Sequence, residues 1–247
     1  IVYSSLTWTL GANLERLSLT GTAAISGTGN DLANTIWGNG NSAANTLAGG
    51  LGNDAYGVGT NDIIVELAGQ GVDTAFSYGD YTLAVGVSVE NLYLNVTAGK
   101  TVTGNELANN LRGNAGNDTL NGQAGNDTLN GGLGNDTLAG GDGADTFRFD
   151  TLPHPSTNRD TLADYSVPDD NIQLENAVFT SLTATGTLAA ASIVIGSAAL
   201  DGNDYLIYDN STGALLYDAD GNGAGAAVEI ANMGAGLALT NLDFLVT

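Results

Sequence analysis

Four nine-residue units run without interruption from Gly113 to Arg148: GNAGNDTLN, GQAGNDTLN, GGLGNDTLA and GGDGADTFR. Each has glycine at its first and fourth positions, aspartate at its sixth (Asp118, Asp127, Asp136, Asp145) and an apolar residue at its eighth (Leu120, Leu129, Leu138, Phe147). One such unit cannot bury its apolar side chain alone, whereas a stack of units makes a continuous core. The register therefore predicts an all-β solenoid in which the chain coils on itself.

Two units per coil give 18 residues, with two short strands and two glycine turns, and set residue i beside residue i+18, about 4.8 Å away. Asp118 then falls beside Asp136, and Asp127 lies between Asn109 and Asp145. Carboxylates at that spacing repel one another unless a cation is shared between them. The overall charge points the same way: 27 acidic residues against five basic ones leave −22. Such a chain repels nucleic acid and anionic lipid, and it resists its own compaction until something neutralises it. Glycine turns can aim successive carbonyl oxygens at an ion, and flexible oxygen-rich loops suit calcium better than magnesium. The alternative keeps the solenoid but makes the aspartates simple turn caps that accept backbone N–H bonds.

A longer repeat underlies the nonapeptides. Thr9–Gly21 returns as Thr82–Val96, and Gly29–Asn39 returns as Gly104–Asn114. Three segments follow: 1–103 as a degenerate solenoid block with β-rich, wider coils, 104–150 as the intact nonapeptide block, and 151–247 as a C-terminal antiparallel β cap. In the first block Asn34 and Asn45 take the acidic position, and only Gly49–Gly57 keeps its aspartate, Asp54. This block is expected to contribute stacking more than cation binding. Asp62, Glu66 and Asp73 are a weaker candidate acidic site between the blocks, with solvated turn carboxylates as the alternative. Glu15 and Glu90 recur at matching places and read as structural.

The stretch Asp218–Glu229 satisfies the EF-hand expression letter for letter. Its flanks are strand-like rather than helical, so it is expected to be a hairpin loop, either a plain turn or a calcium loop using Asp218, Asp220 and Asn222.

No catalytic constellation stands out. The single histidine, His154, lies between two prolines, cysteine is absent and no G-x-S-x-G elbow occurs. A hydrolase using carboxylates alone is formally open, but the chain reads as non-catalytic. Trp8, Trp37 and the nine tyrosines are read as core or ladder residues rather than a sugar-binding surface. Leu188–Leu200, the longest mostly apolar stretch, is too short to span a bilayer.

The nonapeptides resemble the RTX repeat G-G-x-G-x-D-x-U-x of hemolysin-type calcium-binding exoproteins, which form a parallel β-roll. Carried onto this chain, the resemblance implies calcium ligands at Asp118, Asp127, Asp136 and Asp145, with turn carbonyls including Gly116, Gly125, Gly134 and Gly143. Asn109 and Asp54 stand at corresponding turn positions. The segment Arg159–Phe179 and the terminus Leu239–Thr247 are similar to the tails of bacterial proteins exported by type I systems, among them serralysin-type proteases, RTX lipases and large adhesins. The resemblance implies several calcium ions as ligands, the type I secretion machinery as a partner, an extracellular or cell-surface location, and folding outside the cell. A catalytic domain, if the chain belongs to a secreted hydrolase, would precede Ile1. A second expectation is a structural or adhesive protein whose solenoid ends associate into a filament, layer or matrix.

Overall fold

The computed structural model describes residues 1–247 and is an all-β parallel solenoid with antiparallel strands towards its C-terminal end. One wall is a 12-stranded sheet that begins at Val2–Ser4 and takes one strand from each coil, through Asn110–Ala115, Thr128–Leu133 and Thr146–Phe149 to Asn171–Leu174. The other wall begins as a four-stranded sheet, Trp8–Thr9 to Ile63–Val65. A nine-stranded sheet then takes over, with Thr101–Thr103, Thr119–Ala124, Thr137–Asp142 and Asp160–Leu162 in its parallel part.

The apolar eighth positions drive this coiling. In the nonapeptide block Leu111, Leu129 and Phe147 stack on the long sheet, while Val102, Leu120, Leu138 and Leu162 stack on the facing wall. All of these are fully or nearly fully buried, and inward side chains along the whole stack form one core cluster. Pairing of Asn110 with Thr128 and of Thr119 with Thr137 sets the coil at 18 residues. In the first block the steps from Leu17 to Ile36 and from Ile36 to Tyr56 are 19 and 20 residues, so those coils are slightly wider. Trp37 lies across Gly57 and stacks on Phe76 at 6.3 Å, with Tyr93 edge-on to Phe76, an aromatic ladder along the long sheet.

Parallel pairing runs past Thr151. Asp160–Leu162 and Asn171–Leu174 add a coil to the two walls, and Phe244–Val246 then pairs parallel with Asn171–Leu174. Antiparallel pairing enters with Leu206–Asp209, Ala214–Tyr217 and Val228–Asn232, and with Gly186–Thr187 against Phe244–Val246. No helix is long and apolar enough to cross a membrane.

Candidate metal centres in the turn rows

The turns between the walls stack into two rows, and each row carries a ladder made by its acidic residues. In one row the backbone N–H of Asn109 donates to Asp127 Oδ1 (2.7 Å), that of Asp127 to Asp145 Oδ1 (2.8 Å), and that of Asp145 to Asp170 Oδ1 (2.9 Å). In the other row the N–H of Lys100 donates to Asp118 Oδ1 (2.8 Å), that of Asp118 to Asp136 Oδ1 (2.7 Å), and that of Asp136 to Asp160 Oδ1 (3.0 Å). Each carboxylate thus caps the backbone N–H of the corresponding turn residue one coil earlier, and Asp136 sits beside Asp118 as the 18-residue spacing anticipates.

Backbone N–H groups also reach the second oxygens of Asp118 (Asn114, 3.4 Å) and Asp170 (Ser166, 2.8 Å), but for the three central aspartates turn capping accounts for only one oxygen. The second oxygens of Asp127, Asp136 and Asp145 are buried and have no hydrogen-bond partner. Leaving a buried carboxylate oxygen unsatisfied costs well over a neutral group's roughly 1–3 kcal/mol. Basic side chains do not relieve it: Lys100 pairs with Asp80, Arg112 and Arg148 with Asp150, and Arg159 with Glu229, all away from these oxygens. Burial pushes the Asp127 carboxyl up to about 7, helped by the neighbouring Asp145 charge. Burial likewise lifts Asp136 to about 6 and Asp160 to about 8, the latter with a contribution from Asp136. Asp118 and Asp145 are raised by burial too.

The glycines make this geometry possible. Gly131 lies directly against the Asp136 carboxylate of its own unit, so a Cβ there would occupy the same space. Gly134 has φ +139°, and a Cβ there would collide with the carbonyl oxygen of Gly116 from the previous coil. Gly116, Gly125 and Gly143 also have positive φ, at 108°, 111° and 150°. Carbonyl groups and carboxylates of successive coils therefore crowd together at each turn. Orphaned hard oxygens without a balancing cation are a donor set that fits calcium.

Asparagine at the same position shows what a neutral side chain does there. Asn109 accepts the Asn105 N–H at Oδ1 (2.8 Å) and donates from Nδ2 to the Val89 carbonyl (2.9 Å). Both amide atoms are satisfied, so Asn109, expected among the metal ligands, interrupts the acidic row with backbone bonds. Asn34 behaves alike, with Nδ2 reaching Leu14 O at 3.3 Å.

The weaker candidates are regrouped by the structure. Glu66 and Asp73 come together with Asp54, all three buried, and not with Asp62. Asp62 lies in the opposite row, where Oδ1 accepts the Asn45 N–H (2.9 Å) and Oδ2 the Gly59 N–H (2.8 Å). The grouping follows from the coil: turns on one edge stack on each other, whereas the two edges are separated by the core. Asp218, Asp220 and Asn222 lie in the loop between Ala214–Tyr217 and Val228–Asn232, so no helix flanks them. There Asp220 accepts the Gly225 N–H (3.0 Å), and Asn222 donates to the Leu200 carbonyl (3.1 Å).

Two ladder members escaped the sequence reading, Asp160 and Asp170. Their signal was present as RDTL at Arg159–Leu162, which repeats the NDTL of the nonapeptides, and as DDNI at Asp169–Ile172. Glu90 also proves to be a ladder member, accepting the Asp73 N–H at 2.7 Å.

Residues 39–55, 103–138 and 124–150 match the family of the RTX calcium-binding nonapeptide repeat (4 copies). Comparison with curated proteins gives no significant match.

Proposed function

We propose, on the premise that residues 39–55 and 103–150 carry RTX calcium-binding nonapeptide repeats, that the chain is a non-catalytic calcium-binding module of a secreted bacterial protein. In this reading calcium bridges the turn rows, held by Asp118, Asp127, Asp136 and Asp145 with turn carbonyls that include Gly116, Gly125, Gly134 and Gly143. The carrying observation is the set of buried, partnerless Oδ2 atoms on Asp127, Asp136 and Asp145. The ladder extends the candidate ligands to Asp160 and Asp170. Residues 104–150 are the principal binding block, 1–103 its stacked support, and 151–247 the cap and export segment.

Calcium is scarce inside cells and plentiful outside, so a chain of charge −22 would stay open during export and close on arrival. The terminus fits this order of events. Phe244 and Val246 are both 1% exposed in the folded chain, so any export machinery that reads this segment must read it before folding.

Equilibrium dialysis against micromolar to millimolar calcium tests the function. The expected result is several ions per chain, not displaced by equimolar magnesium. A chain that takes up no calcium across that range would falsify the proposal.

A further inference from the structure

The first block contains a second kind of acidic cluster, buried in the turn row that joins its two walls. Asp54 precedes the strand Ala55–Val58, Asp73 precedes Thr74–Ser77 one coil later, and Glu66 follows Ile63–Val65. One oxygen from each lies within 4.8 Å of the other two. The three residues are only 1–2% exposed.

Their hydrogen bonds leave a defined deficit. Asp54 Oδ1 accepts the Asn34 N–H (2.6 Å), and Asp73 Oδ1 accepts the Asp54 N–H (2.7 Å). Asp54 Oδ2, Asp73 Oδ2 and Glu66 Oε1 are buried and partnerless. The Tyr56 hydroxyl donates to Glu66 Oε2, and this fixes the carboxylate. Gly49 keeps the space open, since a Cβ there would meet both Asp54 Oδ2 and the Tyr56 hydroxyl. None of the chain's ion pairs involves the three carboxylates.

Three hard oxygens that converge in a buried space with no cationic side chain call for a metal ion. The three oxygens all lie within 4.8 Å of one another, close enough to share one ion, and an all-oxygen set suits a hard cation such as calcium, which binds oxygens at about 2.3–2.6 Å in flexible, irregular shells. Magnesium, at about 2.0–2.1 Å, demands a near-ideal octahedron, which an irregular trio of side chains from three different turns suits less well than calcium's flexible shell. No nitrogen or sulfur donor belongs to the cluster, which disfavours zinc.

We propose that Asp54, Glu66 and Asp73 form an interior calcium site of the first block, with Tyr56 as the positioning residue that holds Glu66. Glu66 and Asp73 lie outside the stretches matching the RTX repeat, and Glu66 stands where the equivalent turn of the preceding coil has Gly49. The site rests on the same calcium chemistry as the nonapeptide reading but needs none of the residues of 104–150. It also makes the first block an ion-binding part of the stack in its own right.

The test is the number of calcium ions retained per chain after gel filtration in low-micromolar calcium, measured for wild type, Glu66→Gln, Asp73→Asn and Tyr56→Phe. Glu66→Gln and Asp73→Asn are each expected to lose one ion and keep the rest. Tyr56→Phe is expected to keep the full count near saturation but with about 10- to 100-fold weaker affinity at one site. A full wild-type count and unchanged affinities in all three variants overturn the proposal. Asp136→Asn, run alongside, separates the two readings. If it lowers the count while the first-block variants do not, the nonapeptide function stands and the interior site falls. If wild type binds no calcium even at millimolar concentration, both fall. Should Glu66→Gln fail to fold, Asp73→Asn and Tyr56→Phe decide alone.

Discussion

At Asp136 the two carboxylate oxygens have different fates: Oδ1 accepts the Asp118 N–H, while Oδ2 is buried with no partner. Asparagine keeps an oxygen for the first role and removes the charge from the second, and Asn109 shows that a neutral amide is satisfied by backbone groups at such a turn. Asp136→Asn should therefore have effects of opposite sign under two conditions. In calcium it should lower the melting temperature through loss of a ligand, and in chelator it should raise it by relieving a buried charge. Differential scanning calorimetry under both conditions reads this directly, and destabilisation under both would favour a purely capping aspartate. Gly134→Ala should cost about 1–3 kcal/mol or more in either condition, because φ +139° disfavours a side chain and the Gly116 carbonyl occupies its space. Urea titration checks that value.

Among the elements, strands of the nonapeptide block show how much of the fold was legible. Glycine, charge and apolar residue share one nine-residue phase from Gly113 to Arg148, and the observed pairing follows it residue by residue. Leu129→Ala, at the centre of the Leu111–Leu129–Phe147 stack, should cost about 2–5 kcal/mol in saturating calcium, measured by denaturant unfolding. The ladder's extension to Asp160 and Asp170 was hidden because those coils insert loops. The steps from Asp136 to Asp160 and from Asp145 to Asp170 are 24 and 25 residues, so the 18-residue phase is lost while the pairing is not. The Asp54–Glu66–Asp73 grouping was illegible for another reason: Glu66 replaces a turn glycine, and only the stacking of coils brings it to Asp54.

For the whole molecule, 13 of the 27 acidic residues are buried while the five basic ones stay at the surface or pair elsewhere. The consequence for pH has a definite sign. Burial raises Asp136 to about 6, Asp127 to about 7 and Asp160 to about 8, against roughly 4 in an unfolded chain. Groups shifted upward stabilise the fold below their unfolded value and lose that contribution as pH rises through the folded one. The calcium-free chain should therefore melt higher at pH 5 than at pH 8, whereas acid should weaken calcium binding, and thermal scans across that range in chelator and in calcium check both halves. Calcium at a hundredfold excess over its Kd adds about 2.7 kcal/mol per site, so three sites contribute about 8 kcal/mol, or roughly 15–30 °C for a chain of this size. The most direct measurement is thermal unfolding followed by far-ultraviolet circular dichroism at pH 7.5, with calcium and with chelator. A β spectrum that melts at least about 15 °C lower in chelator, or is absent there, is the predicted result; superimposable melts would contradict the claim that calcium completes these turns.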